Sequence, residues 1–358
     1  TYRVDVTRPC DVVEDLLRIY GYNNIEIAAH VNSSLSYESR EDKQDRLRRL
    51  ISEQLCGQGF NEILNNSLTR EAYYEGLVSM PATACVKLLN PLSNDLNVMR
   101  QTLLFGGLES LAHNINRREP DLAFYEFGNV YTYNAAKADS ESLLAPYSQH
   151  SRLALWLTGL LRQPSWARPA EEATFYDLRA AVDNILARMG ISERELKFTP
   201  TSSELYSAGL DLATRSGKPL GSLGILAKGI LARADIKQPV LYAELDWTAL
   251  TDLAINRRVT YTALPKAMAV KRDLALLIDK AVTLEKVQEV VRQAERRLLR
   301  DVTLFDVYEG SNLPAGKKSY AISMTLRDDE KTLNDKQIEA VMTKIISALT
   351  KQLGAQLR

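Results

Sequence analysis

The chain has 358 residues, 45% apolar and 25% charged, with 45 Lys+Arg against 45 Asp+Glu. That length predicts two or three domains, and the composition excludes a disordered chain. No apolar run is long enough for a membrane span, and Cys10, Cys56 and Cys85 are too scattered for a disulfide scaffold or zinc ribbon, which fits a reduced cytosol.

The neutral total hides an asymmetry. Residues 257–358 carry 19 basic against 13 acidic side chains, a net of +6, which leaves −6 on residues 1–256. A basic end beside an acidic body points to a polyanion partner; chance clustering of surface charge is the competing reading.

Thr1–Val6 alternates polar and apolar like a strand. The start has neither a Met nor a signal layout, so the chain reads as beginning inside a domain. A turn at Arg8-Pro9-Cys10 leads to a helix entered at Asp11, with Val12, Val13, Leu16, Leu17 and Tyr20 at helical spacing and Gly21 as its stop. Residues 28–40, with Ser33, Ser34, Ser36 and Ser39, read as a linker.

From Glu41 to Gly57 the pattern predicts an amphipathic helix with Leu47, Leu50, Ile51 and Leu55 on one face. Helices over 104–116 and 176–189 follow, with strands at 122–133, 153–161, 210–213, 221–226 and 240–245. Ser216-Gly217-Lys218 reads as a hairpin turn. The segment is α+β on one antiparallel sheet, without the βαβ alternation of a doubly wound fold. After about residue 260 come a strand at 270–279 and a helix at 284–297 capped by Thr283. Strands at 302–308 and 319–326, a helix at 336–353 and a last short strand within 355–358 complete the chain. The order β-α-β-β-α-β is the ferredoxin-like split unit.

Catalytic patterns are thin. His30, His113 and His150 lie far apart, and no HExxH, GxSxG, P-loop or GxGxxG is present. The acids Asp5, Asp11, Glu14 and Asp15 can converge at a helix start and would suit Mg2+, or they can simply cap free N–H groups and complement the helix dipole. Arg292, Arg296 and Arg300 recur at i,i+4 spacing. Lys271-Arg272 and Lys317-Lys318 open strands, with Tyr308 and Tyr320 nearby. Such a set would serve single-stranded RNA by phosphate contact and stacking; a solvated charged face is the alternative.

Arg18-Ile19-Tyr20-Gly21-Tyr22-Asn23-Asn24-Ile25, behind the acidic cluster, resembles the end of the B5 domain of the bacterial phenylalanyl-tRNA synthetase beta subunit. Asn90-Pro91-Leu92-Ser93 with Val98-Met99-Arg100 is similar to that subunit's catalytic-like module, as is Tyr125-Glu126-Phe127-Gly128-Asn129-Val130-Tyr131. Lys271-Arg272-Asp273, Leu304-Phe305-Asp306-Val307-Tyr308, Gly316-Lys317-Lys318-Ser319, Arg327-Asp328 and Thr332-Leu333-Asn334-Asp335 resemble its ferredoxin-fold anticodon-binding domain, in order.

The resemblance covers nearly the whole chain and implies three parts. These are residues 1–27 as the end of B5, 28–258 as a class II synthetase-like module without its chemistry, and 259–358 as the anticodon-binding domain. It implies a cytoplasmic (αβ)2 heterotetramer that joins phenylalanine to tRNA(Phe) with ATP, catalysis lying on the alpha subunit. It also implies a Mg2+ shared with alpha, with Asp5, Asp11, Glu14 and Asp15 as ligands. The last of these is usually Glu, and Asp15 is one methylene shorter. Lys271, Arg272, Arg292, Arg296, Arg300, Lys317, Lys318 and Arg327 are the expected tRNA contacts.

Where a class II motif 2 would carry an ATP-phosphate arginine this chain has Thr132, and Tyr242-Ala243-Glu244-Leu245-Asp246 stands where a motif 3 arginine would fall. Without those arginines developing phosphoryl charge has no clamp, so no catalytic residue is expected here. The family's editing domain would lie upstream, so editing is not expected of these residues. A free-standing RNA-binding paralogue is the rival reading; an independent ATP-dependent ligase is disfavoured by the missing arginines.

Overall fold

A computed structural model describes residues 3–27, 29–30, 32, 38–91, 93–310 and 312–358. Thr1, Tyr2, most of the serine-rich linker and Leu92 therefore lie outside the described residues. The chain divides into two compact units, residues 1–258 and 259–358. No helix among the described residues is long and apolar enough to cross a membrane.

The first unit opens on helix α1 (Pro9–Tyr20). Proline at the first helical position has no N–H to leave unpaired, so the helix starts two residues before Asp11. The expected strand over 1–6 is not formed among residues 3–6, where no second strand lies beside it. Helix α2 (Arg40–Gly57) is entered through Ser39, whose hydroxyl accepts the Asp42 N–H at 3.1 Å while the Asp42 carboxylate accepts the Ser39 N–H at 2.8 Å. This reciprocal pair satisfies two donors that the first turn would leave free.

Seven strands make the main sheet: β1 (Asn61–Glu62), β2 (Leu122–Tyr133), β3 (Tyr147–Thr158), β4 (Leu196–Pro200), β5 (Tyr206–Thr214), β6 (Pro219–Leu226) and β7 (Val240–Asp246). Their order is β1-β2-β3-β7-β6-β5-β4, antiparallel except for the β1–β2 pair. Between them run α3 (Leu104–Ile115), α4 (Phe175–Arg188) and, after β7, α5 (Trp247–Ala254).

Alternation along the strands splits the core in two. Tyr125, Phe127, Leu153, Leu155, Leu241 and Ala243 face Ile51 and Leu55 of α2 and the buried side of α4. Phe124, Trp156, Tyr206 and Tyr242 form the other face, against Leu104, Phe105, Leu108 and Leu111 of α3. Both faces of this sheet are therefore covered.

Trp156 marks how tightly the second face is closed. It sits between Phe124 and Tyr242 in the strand register and is wholly buried. A methyl group on Gly107 of α3 would come within 2.1 Å of its ring, so only glycine lets the helix approach this closely.

The second unit has β8 (Val270–Asp279), α6 (Leu284–Ala294), β9 (Leu299–Tyr308), β10 (Lys317–Leu326), α7 (Asp335–Leu353) and β11 (Gln356–Leu357). The antiparallel order β9-β10-β8-β11 is the ferredoxin-like arrangement expected from the βαββαβ reading. Leu276, Ile278, Val302, Ile322 and Met324 pack on Val287, Val290, Val291, Ile338, Val341 and Ile345 of the two helices. Gly354 ends α7 in the left-handed conformation at φ 60°. The opposite side of this sheet carries no core residue.

The helix expected over 284–297 stops at Ala294. Glu295 turns extended, and its carboxylate accepts the Arg297 and Leu298 N–H groups at 2.9 and 3.1 Å. A side chain that offers backbone donors a partner in this way competes with another helical turn.

Candidate metal and RNA-contact sites

Three of the four acids singled out as metal ligands have protein partners here, and Asp15 is exposed on α1. Asp5 is held by Arg3 at 2.9 Å. One Asp11 oxygen accepts the Thr7 and Arg8 N–H groups at 2.9 and 2.8 Å, and the other faces the Arg8 guanidinium at 3.2 Å. Those backbone donors hold the Asp11 carboxyl below its usual range, and Arg3 does the same for Asp5. Glu14 faces Arg18 at 3.6 Å. Among the described residues no three His, Cys, Asp or Glu side chains are grouped to hold a metal ion. In this arrangement Asp11 serves as the capping partner at the start of α1.

The basic residues separate by strand parity. Lys271 lies opposite Thr325 and shares the core-free face with Ala275, Ala321 and Ser323. Arg272 has the parity of Leu274 and Leu276 and projects at the exposed end of the helical side. Lys317 is on the core-free face but is paired with Asp279 at 2.8 Å. Lys318 points the other way: it is 7% exposed, with its ammonium 2.8 Å from the Tyr320 hydroxyl and over that ring.

Arg292, Arg296 and Arg300 do not share a helical face. Arg292 is half-buried on α6, Arg296 is exposed beyond the helix, and Arg300 lies in β9. Asp329 gathers Arg300 at 2.7 Å and Arg327 at 3.0 Å, so that pair is already matched by a carboxylate.

The core-free face has one aromatic platform that the sequence placed only as a neighbour. Tyr308 lies opposite Ser319 in the register, and the Arg358 guanidinium stands 5.3 Å from the centre of its ring. Beside it the floor is made of Ser319, Ala321, Ala275 and Leu277. A sheet face with an aromatic ring and flanking cations is suited to stacking a base.

In the first unit a cleft of about 220 Å³ lies between α2, α5 and the ends of β2 and β3, lined by Arg48, Phe127, Asn129, Ser151, Arg152 and Thr248 among others. The sheet face towards α3 holds two polar networks instead of a cavity. Arg100, 5% exposed, pairs with Glu126, 1% exposed, at 2.7 Å, and its Nε donates to the Asn129 carbonyl at 2.9 Å. Glu244 accepts from the Thr102 hydroxyl at 2.5 Å, from the Leu103 N–H at 3.0 Å and from the Tyr242 hydroxyl. Burial pushes the Tyr242 phenol far up, so it donates throughout the physiological range.

Sequence comparisons decide the family. A model of the phenylalanyl tRNA synthetase beta chain CLM domain matches residues 27–247. The ferredoxin-fold anticodon binding domain matches 265–358, and the tRNA synthetase B5 domain matches 1–22. The chain belongs to the phenylalanyl-tRNA synthetase beta chain family.

It is 51% identical, along its whole length, to the phenylalanine–tRNA ligase beta subunit of Bacteroides fragilis, and 49% identical to that of Porphyromonas gingivalis. Against the same subunit of Moorella thermoacetica the identity is 32%. The chain spans 43–44% of the length of these relatives.

For a phenylalanyl-tRNA synthetase beta chain, two of the recognised stretches acquire a structural reason. Arg100 and Glu126, 26 residues apart, are the two ends of one buried ion pair. Gly128 leaves room for that arginine, whose Nη2 would lie 2.4 Å from an added methyl group. The Glu244 network and Arg152, which pairs with Asp246 at 2.9 Å, gave no signal because their partners are far apart in the chain. Thr132, at the position of the missing motif 2 arginine, hydrogen-bonds to the Ser148 hydroxyl at 2.5 Å.

Proposed function

We propose that this chain is the tRNA- and partner-holding part of a phenylalanine–tRNA ligase beta subunit, and that ATP-dependent attachment of phenylalanine takes place on the alpha subunit. Residues 1–27 act as the end of B5, 28–258 as a catalytically silent class II-like module, and 259–358 as the domain that grips the anticodon region. The working assembly is an (αβ)2 heterotetramer in the cytoplasm, with tRNA(Phe) as its nucleic-acid partner.

One observation supports this reading above others. Helices pack on both faces of the seven-stranded sheet, with one cleft left beside α2 and α5, while the four-stranded sheet keeps one face free of core residues. A reacting phosphoryl group needs a water-excluding cleft with cationic clamps; on the face towards α3, Trp156 is packed against the helix and Glu244 is committed to Tyr242 and Thr102, and in the cleft beside α2 Arg152 is paired with Asp246.

The open face can take a base on Tyr308, with Lys271 on the same face for a backbone phosphate. Holding the tRNA in this way raises the rate by positioning the 3′ end at a site on another chain. No step of this reading is routed through magnesium; of the four acids that the resemblance assigns to it, Asp5, Asp11 and Glu14 have partners within the chain.

The test is binding of tRNA(Phe) transcript to the chain across a salt series, together with ATP–pyrophosphate exchange by the chain alone. Salt-dependent binding with no exchange is expected. Exchange by the chain alone would overturn the silent assignment; absence of any tRNA binding by the chain and by the αβ assembly would overturn the RNA assignment.

A further inference from the structure

The Tyr308 ring, at the end of β9, is gripped at two points. Gly310 lies against its hydroxyl end, and the Arg358 guanidinium stands 5.3 Å from its centre.

Glycine at 310 serves the ring and not the backbone. Its φ is outside the left-handed region, whereas Gly316, in the same loop, has φ 79°. A methyl group added to Gly316 would meet nothing within 4 Å. On Gly310 it would lie 2.2 Å from the Tyr308 hydroxyl and 2.3 Å from Cζ. One glycine of this loop is therefore demanded by conformation and the other by close approach.

Both contacts are mounted on fixed backbone. Glu309 faces Lys280 at 3.9 Å, and the Gly310 carbonyl accepts the Leu313 N–H at 3.3 Å, so the chain is tied on either side of the approach. The Arg358 N–H donates to the Ala275 carbonyl at 3.0 Å, continuing the pairing of β11 with β8. A tyrosine on an uncovered face would otherwise sample several rotamers, of which a stacked base accepts one. Holding the ring beforehand removes that ordering cost from binding. The guanidinium is drawn to the π face, so it steadies the ring without walling it in.

We propose that Gly310 and Arg358 are positioning residues for the RNA face, holding the Tyr308 ring in the orientation in which a base stacks on it. This rests on the reading of Tyr308 as that platform, and it assigns Arg358 to the ring instead of to a phosphate.

The experiment titrates tRNA(Phe) transcript against the αβ assembly with full-length beta subunit, by filter binding across a salt series. Gly310→Ala leaves the backbone unstrained but displaces the ring, and should weaken binding about fivefold, the lower end of one lost stack. Arg358→Gln should weaken it about two- to fivefold, the worth of an exposed cation over a ring, and Arg358→Lys should recover most of that loss. Neither loss should alter the salt slope. Neither variant should weaken binding further once Tyr308 is replaced by alanine, because both act through that ring.

A loss that persists in the Tyr308→Ala background would overturn the grip, since the residue would then act elsewhere. A salt slope flattened by about one unit in Arg358→Gln would overturn the assignment of Arg358 in favour of direct phosphate contact. Unchanged affinity in Gly310→Ala and Arg358→Gln beside a weakened Tyr308→Ala would overturn the positioning role and leave the stacking platform intact. Unchanged affinity in Tyr308→Ala itself would overturn the platform, and the grip with it.

Discussion

Each of the two units of this chain is built on an antiparallel sheet with helices packed against it, yet they spend their polar residues differently. In residues 1–258 the sheet is covered on both sides, and its charged side chains are drawn inward to close on one another, as in Arg100–Glu126 and the Glu244 network. In residues 259–358 the helices cover one side, and the other presents Tyr308 and Lys271. A buried network that satisfies itself leaves no valence for a ligand, whereas a sheet face without a core against it keeps side chains such as Lys271 exposed. On the reading proposed above, the difference favours the smaller unit as the one that contacts RNA.

The largest expected effect comes from breaking the closed network. Arg100→Met leaves the Glu126 carboxylate buried without its cation and should cost about 3–5 kcal/mol. All three tryptophans lie in the first unit, so the urea midpoint followed by tryptophan fluorescence reports on that unit alone. A midpoint equal to that of the unaltered chain would show that the Asn65 N–H and side-chain amide, at 3.3 and 2.7 Å, satisfy Glu126 without Arg100.

Gly107→Ala tests the closed face by steric means. The added methyl would meet Trp156 at 2.1 Å. Overpacking of this kind costs about 1–3 kcal/mol and outweighs the roughly 1 kcal/mol that alanine gains over glycine in a helix. A stabilised Gly107→Ala would mean that the Trp156 side of the sheet yields, and that this face is less closed than its neighbours suggest.

In the open sheet the same logic predicts the reverse pattern. Tyr308→Ala should weaken tRNA(Phe) binding by about 1–3 kcal/mol, the usual worth of one stacked base, without moving the tryptophan-reported midpoint. Gel-shift titration at fixed salt reads the first effect. Equal affinity for Tyr308→Ala would remove the stacking platform and leave only the basic residues to carry the RNA.

What the sequence made legible follows from how local each feature is. Leu122–Tyr133 and Val270–Asp279 were readable to the residue because long alternating runs carry their own period. Leu196–Pro200 was not, being five residues long, ending in proline, and a strand only because β5 lies beside it. The arginine row 292–296–300 failed at Glu295, where one carboxylate ended the helix. Lys318 was misjudged although the signal was present: Tyr320, Ile322 and Met324 point into the core, and period two puts Lys318 on their side. The Arg100–Glu126 pair had no local signal, since nothing in either segment reveals a partner across the fold.

The smallest effect is electrostatic, and its sign follows from one pair at the surface of the first unit. The Arg257 guanidinium, 2.5 Å from Glu195, and the Ser192 N–H hold the Glu195 carboxyl down to about 2. In the unfolded chain it would titrate near the ordinary value of about 4.3. The folded state thus prefers the ionised form, and the pair's contribution is complete above about pH 5 and lost as the pH falls towards 2. Side-chain exposures of 32% and 46% keep it within about 1 kcal/mol in water. Glu195→Gln removes the titration but keeps an oxygen for the Ser192 N–H, so stability should fall less steeply between pH 5 and pH 3 than in the unaltered chain. At high salt the two slopes should converge, because screening weakens an exposed pair. Parallel curves at low salt would show that Arg257 is held by its other acceptors, the Gly190 and Leu253 carbonyls at 2.6 and 2.9 Å, and that the carboxylate adds nothing.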